Sequence, residues 1–262
     1  MTTESILNGL QTKIIGRTIA LYEEVESTNE LARQRGIEGG KEGMLILADY
    51  QTAGRGRRGR KWHAPPKSSI LASLILRHRL VANQIGLPNL VGAVSIATAI
   101  RKVTDLPAMI KWPNDVLINE KKVSGVLTEL EYDVHRHPFL VMGFGVNVNT
   151  SLADFPLELR DTATSLRIES GREISRATLI REILSRLEDN YLNLKDGKTT
   201  MIIEQANRLL NTLEQWMRIK ADDGIFDGLA ERIDTDGGLI LRDRSGQLRK
   251  FLSGDVVHAT EK

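Results

Sequence analysis

The chain has 262 residues, 41% hydrophobic and 27% charged, with a net charge of +2, proportions that fit a globular protein with one sizeable core and a small appended domain. The absence of cysteine excludes disulfides, thiolate metal sites and thiol nucleophiles, and fits a reducing cytoplasm. Met1 to Gly16 lacks a basic region followed by a long apolar core, and no apolar run reaches the roughly 18 residues of a spanning helix, so neither a signal peptide nor a membrane anchor is expected.

Residues 14–25 are β-branched and apolar and predict a strand. Ser27-Thr28-Asn29-Glu30 then matches the S-x-x-E capping box, which predicts a helix closed by Gly36. Its three short polar side chains also offer donors and acceptors to a small polar ring. A second strand over residues 44–50 delivers Gln51 and the loop Gly54-Arg55-Gly56-Arg57-Arg58-Gly59-Arg60-Lys61-Trp62. No acidic residue lies between Tyr50 and Thr104, whereas ten Arg or Lys do. The five cations of the loop therefore have no local partner, and a polyanion-binding loop, mobile until its ligand arrives, is expected. The loop also reads as G-x-G-x-x-G after a strand. The dinucleotide reading fails, because Pro65 and Pro66 bar the helix that must follow and the next acid is Asp105.

Residues 70–76 predict a third, central strand. After Pro88, Leu90, Val91, Val94, Ala97 and Ile100 recur at helical spacing, with Ala93 and Ile96 widening the stripe into a buried helix. A short strand leads into Lys111-Trp112-Pro113-Asn114-Asp115. Residues 116–118 and 123–130 flank a turn and predict a hairpin, with Lys122 where its second strand begins. His135 and His137 before Pro138 read as an exposed turn, and no metal site is expected. A strand over residues 139–142 leads into Gly143-Phe144-Gly145-Val146-Asn147-Val148-Asn149, whose glycines admit a ligand or another backbone. Helices are expected over residues 175–194 and 201–210. Gly197-Lys198-Thr199 is not a P-loop, because Leu192 stands where the first glycine must be. Residues 216–221, 225–233, 239–241 and 247–252 predict short strands separated by glycine turns, a small all-β barrel beginning near residue 213.

In this order, Ser27-Thr28-Asn29, GRGRRGRKW at 54–62, KWPND at 111–115, KVSG at 122–125, GFGVNVN at 143–149 and a terminal β domain resemble the biotin–protein ligases from about residue 20 onward. The resemblance implies an α/β (α+β) fold: a mixed-sheet catalytic domain of the biotin/lipoate ligase type over residues 1–213, then an SH3-like β-barrel over residues 214–262. It implies ATP and biotin as substrates, Mg²⁺ as the accompanying ion, and biotinyl-5′-AMP as intermediate. Transfer would be to a lysine of a biotin carboxyl carrier protein, an acetyl-CoA carboxylase subunit. Some twenty residues precede the first catalytic strand, so a short form without the N-terminal DNA-binding domain of repressor members is expected, with no DNA binding by that route. A homodimer paired through an edge strand, as in some relatives, is left open against a monomer.

The same resemblance assigns Ser27, Thr28, Asn29 and Gln51 to the ureido ring and adds Gly54, Arg55, Gly56, Arg57, Lys122 and Gly125 to the biotin site. Arg57, Arg60, Trp62, Lys122 and Asn147 are assigned to ATP, with Asn147 near the triphosphate or its metal. Arg57, Lys122 and Lys111 are the catalytic candidates. Lys111 either pairs with Asp115 or steers the carrier lysine; Trp62 either closes over the adenine or packs under the loop; Ser27 either binds ligand or only caps its helix. A lipoate–protein ligase is the nearest enzyme alternative. A nucleic-acid-binding module using Arg55 to Lys61 is the other, weakened because no aromatic residue interleaves those cations before Trp62.

Overall fold

A computed structural model describes residues 1–77 and 86–258. One of the ten cations counted above, Arg79, lies outside the described residues. A short helix α1 (Thr3–Leu7) precedes β1 (Ile19–Val25), α2 (Thr28–Ile37), β2 (Leu45–Gln51), β3 (Ser69–Leu76) and the long helix α3 (Leu87–Thr104). Next come β4 (Met109–Lys111), β5 (Asp115–Ile118), β6 (Lys121–Tyr132) and β7 (Pro138–Asn147), then α4 (Leu166–Ser170), α5 (Arg176–Lys195) and α6 (Thr199–Leu209). The first seven strands form one mixed sheet in the order β1-β2-β3-β7-β6-β5-β4. β1 and β2 are parallel and the remaining neighbours antiparallel.

Alternation along the strands divides the two faces. Leu45 and Leu47, with Ile70, Ala72 and Leu74, join α3 and α5 in the main core, while Ile46, Ile75, Phe139 and Val141 form a second cluster with Ala32 of α2. Burying each such Leu, Ile or Phe stabilises the fold by about 1.5–3 kcal/mol. Helix α2 is too short to cover its whole face. That face continues along β3 and β7 as Ser73 opposite Gly143 and Leu71 opposite Gly145, and Leu71, Gly143 and Gly145 line a cleft.

β8 (Trp216–Ala221), β9 (Gly224–Ile233), β10 (Leu239–Arg242), β11 (Leu248–Phe251) and β12 (Asp255–His258) make a second, antiparallel sheet ordered β11-β10-β9-β8-β12. That order is open: among the described residues β11 and β12 do not pair with each other, so the expected barrel is a five-stranded sheet without closure. Its inner residues Met217, Ile219, Leu239, Leu241 and Phe251 belong to the same core as α3 and α5. At the seam Trp112 is 2% exposed and its indole N–H donates to Gly237 O at 3.0 Å.

Several local expectations change. Ser27 is the N-cap of α2, yet its side chain makes no capping hydrogen bond, and Glu30 pairs with Arg33 instead of completing a capping box. Gly36 lies inside α2 rather than ending it, and glycine is required there because a β-carbon would come 2.1 Å from the Phe139 ring. The first strand starts at Ile19, not residue 14; the backbone N–H groups of Lys13, Ile14 and Ile15 donate to buried Glu188 of α5. The strand expected over residues 139–142 runs on through the glycines, and β7 ends at Asn147. Strand β12 was not anticipated.

Candidate active site

The cleft has a volume of about 490 Å³ and its floor is the uncovered half of the sheet. Gly143, Gly145 and Asn147 alternate along β7 and so share one face; Gly125 of β6 lies opposite Gly145. Both β7 glycines are required by close neighbours. A β-carbon on Gly143 would stand 1.8 Å from Asn29 Oδ1, and one on Gly145 would stand 2.4 Å from Cε2 of Trp62.

At one end, the N-terminus of α2 brings buried Ser27, Thr28 and Asn29 to the rim. Thr28 donates to Gln51 Oε1 from both its backbone N–H at 2.7 Å and its hydroxyl at 2.9 Å. Asn29 donates to Glu129 Oε2 at 2.7 Å. Ser73 Oγ lies 2.8 Å from Thr28 Oγ1 and 2.6 Å from Asn29 Oδ1, and its single proton serves one of them at a time. These bonds fix the rotamers of the polar side chains against a rigid strand.

At the other end the arginine loop folds over the cleft as a closed turn. Trp62 N–H donates to Gly54 O at 2.9 Å and Gly56 N–H to Arg60 O at 2.7 Å, with a 3-10 turn at Arg57–Gly59. Of the three glycines only Gly59 takes positive φ, at 72°, and Arg58 beside it takes φ 54°. Three of the five cations do find acids, contributed by distant segments. Arg55 reaches Glu30 at 3.5 Å; Arg58 reaches Asp222 at 3.0 Å and Asp255 at 3.1 Å; Arg60 also pairs with Asp255. The expectation of an unanchored loop therefore fails, because sequence distance hid the partners that the second sheet supplies. Arg57 points inward and donates to Asn114 Oδ1 at 2.9 Å, and Asn114 in turn donates to Val126 O at 2.6 Å. Burial pulls the Arg57 guanidinium below its ordinary pKa, while Asp255 and Asp115 push it back up.

Lys122 is aimed by its backbone. A register shift between Val116 and Leu117 bulges β6, and the Lys122 backbone bonds Thr162 O at 2.8 Å and Thr164 N at 2.9 Å. Its ammonium lies 2.6 Å from Asp115 Oδ1, without a well-directed hydrogen bond to that oxygen, and 5.7 Å from the centre of the Trp62 ring. Asp115 thus pairs with Lys122 and not with Lys111, its cross-strand neighbour. Lys111 lines the cleft and makes no ion pair among the described residues.

The structure gathers Ser27, Thr28, Asn29, Gln51, Arg55, Gly56, Arg57, Arg60, Trp62, Lys111, Lys122, Gly125 and Asn147 around this one cleft. Gly54 is not among its lining residues: a β-carbon there would meet Gln51 Nε2 at 2.9 Å and Trp62 O at 3.0 Å, so it permits the base of the loop to close. Sequence reasoning missed Ser73, Asn114, Glu129 and Asp255. Ser69 and Ser73, two polar residues of equal parity in an otherwise apolar strand, were the available signal for the floor. Among the described residues no cluster of His, Asp or Glu has the form of a metal site, and no helix is long and apolar enough to cross a membrane.

A mixed sheet with one half-covered face, a cationic loop over the bare half and a small antiparallel sheet behind it define the two-part architecture of the biotin ligase class. The model of the "Biotin/lipoate A/B protein ligase family" matches residues 21–147, and that of the "Biotin protein ligase C terminal domain" matches residues 212–259. The chain is 36% identical to the "Bifunctional ligase/repressor BirA" of Bacillus spizizenii over 98% of its own length and 78% of that protein. It is 30% identical to the "Biotin--[acetyl-CoA-carboxylase] ligase" of Mycobacterium tuberculosis, over 92% of this chain and 89% of that one. Among solved structures it is similar to the biotin protein ligase of Aquifex aeolicus in complex with biotin and ATP, with a TM-score of 0.82, 28% identity, and coverage of 93% and 100%. The chain belongs to the biotin/lipoate A/B protein ligase family.

Proposed function

We propose that this protein is an ATP-dependent biotin–protein ligase that forms biotinyl-5′-AMP and passes the biotinyl group to a lysine of a biotin carboxyl carrier protein. The observation that carries this reading is a single cleft with a short-side-chain polar end at Thr28, Asn29 and Gln51 and a cationic end at Arg57 and Lys122. The Aquifex aeolicus relative, similar over nearly the whole chain, is a complex with both biotin and ATP.

In the first step a carboxylate oxygen attacks the α-phosphorus, the bond to the β-phosphate oxygen breaks, and pyrophosphate leaves. Carboxylate and phosphate repel by about 4 kcal/mol per pair of unit charges at 4 Å and an effective dielectric of 20. Arg57 and Lys122 offset this repulsion and stabilise the charge that develops in the transition state. Arg57 is pre-aimed by Asn114, and Lys122 by the bulge and its bonds to 162–164. In the second step the carrier amine attacks the acyl carbon, AMP departs, and the nitrogen loses a proton as the amide forms.

Magnesium brought with the nucleotide would neutralise phosphate charge and needs few protein ligands. Asn147 fits a place beside it: its Nδ2 is used by Thr164 O, whereas its Oδ1 is buried without a hydrogen-bond partner. Residues 1–213 would form the catalytic domain and residues 214–262 the appended domain of a cytoplasmic enzyme. Incubation with biotin, Mg²⁺ and radiolabelled ATP tests the assignment; a biotin-dependent acyl-adenylate is expected, and its absence overturns it. A thermal shift with biotin that exceeds the shift with lipoate separates this reading from a lipoate ligase.

A further inference from the structure

The arginine loop is a strap between two distant parts of the chain. Arg55 fastens its first half to Glu30 of α2. Its far side is fastened to the second sheet, where Arg58 donates to Lys220 O at 3.3 Å, Asp222 Oδ1 at 3.0 Å and Asp255 Oδ2 at 3.1 Å. Arg60 donates to the same Asp255 oxygen. Asp222 is largely exposed, with a side chain 91% accessible, so its pair with Arg58 is screened by water. Asp255 is only 26% exposed and holds two arginines, which makes it the anchor of the pair. It opens β12, whose register against β8 sets it opposite Lys220, so a rigid strand carries it. Asp255 also lines the cleft.

The backbone between the anchored residues carries a consequence. Arg58 adopts left-handed φ and ψ of 54° and 37°, a conformation costly for a residue with a side chain and maintained only where its surroundings over-determine it. The three acceptors on the second sheet provide that determination. With Arg58 turned outward, its neighbour Arg57 is turned inward to Asn114. The outward pairs thus set the direction of the inward arginine.

We propose that Asp255 is a positioning residue: by holding Arg58 and Arg60 it keeps the loop closed and Arg57 directed into the cleft, so that the second sheet governs retention of the acyl-adenylate. This deepens the functional reading and rests on it. The carboxylate acts through the two arginines and takes no part in bond making.

The test compares the full chain with its Asp255→Ala, Asp255→Glu and Arg58→Gln variants. Ligand-free proteins are digested with limiting trypsin, which cuts after the loop arginines. Proteins loaded with biotin and MgATP are freed of small molecules, and labelling of serum albumin is followed as a measure of adenylate escape. Removing the two charge-assisted hydrogen bonds to this carboxylate should raise both loop cleavage and escape about tenfold in Asp255→Ala, with Asp255→Glu within about threefold of native. Biotin affinity without ATP should stay within about twofold, since Thr28, Asn29 and Gln51 are held by other bonds. Arg58→Gln should repeat the pattern and serves if Asp255→Ala fails to fold. Unchanged cleavage and escape overturn the proposal. So does an Asp255→Ala variant whose KM for ATP falls while escape stays native, which would make Asp255 merely a competing anion. If the native chain forms no adenylate, the functional reading fails, while the digestion still decides whether Asp255 holds the loop.

Discussion

The Trp62 indole packs against Gly145, so close that a β-carbon at 145 would come within 2.4 Å of indole Cε2. The contact ties the end of the arginine loop to the floor of the cleft, and it places the indole 5.7 Å from the Lys122 ammonium. Gly145→Val forces the indole to move. Biotin-dependent exchange of pyrophosphate into ATP should fall about tenfold or more, an activation change of roughly 1.4 kcal/mol. Overpacking should lower stability in urea by about 1–3 kcal/mol. Native exchange alongside lowered stability would reduce the contact to packing.

Lys122→Ala should lose pyrophosphate exchange by about 10²–10³-fold, the size seen when one preorganised charge-stabilising donor is removed. Full exchange activity in that variant removes Lys122 from the mechanism. Asp115→Asn, which releases the ammonium from its ion pair without removing it, should lose less.

Arg57→Gly removes the inward guanidinium and frees Asn114 Oδ1. Adenylate formation should remain measurable, but the intermediate should escape and label lysines on bystander proteins. Labelling confined to the carrier would argue against a retention role for this arginine.

Glu188 tests the scaffold apart from the chemistry. Only 6% exposed, it accepts from the N–H groups of Lys13, Ile14 and Ile15 at 2.6, 2.7 and 2.8 Å. Glu188→Ala leaves three backbone donors without an acceptor and should cost about 3 kcal/mol or more in urea unfolding. Michaelis constants measured well below the new midpoint should be native; a raised biotin KM would show that the N-terminal segment reaches the site.

Acid should weaken the packing of α3 on α5. Burial raises the Glu182 carboxyl, but hydrogen bonds from Lys102 and Arg186 outweigh it and hold the group below its ordinary value of 4.5. Because the folded pKa is the lower one, the pair's contribution is complete above about pH 4.5 and is lost as pH falls through the folded value. Glu182→Gln should flatten the acid limb of the stability curve, and the two proteins should converge at the acid end. Parallel curves at all pH values would refute the linkage.

The strands and long helices were legible because their apolar residues repeat with periods of 2 or 3.6, and the cleft residues because they fall in ordered motifs. What escaped was set by pairing across the chain. The cations at 55–60 looked unpartnered because Glu30, Asp222 and Asp255 lie far off in sequence. The S-x-x-E pattern at Ser27 promised a capping box, but Glu30 was taken by Arg33 and Arg55. Gly36 looked like a helix stop, and the Phe139 ring pressing on it is a tertiary contact with no local trace. Strand β12 is defined by its pairing with β8, far earlier in the chain, a tertiary contact with no local trace.

The burial of Trp112 bears on how this protein could be divided. Its indole is spent on the second sheet through Gly237, while the residues just after it, Asn114 and Asp115, hold Arg57 and Lys122. Cutting the chain between its two sheets would therefore bare a large aromatic surface and, two to three residues away, slacken the grip on both of these cations. A fragment meant to isolate the chemistry would inherit an unsettled active centre, and supplying the missing half in trans should restore order before it restores turnover.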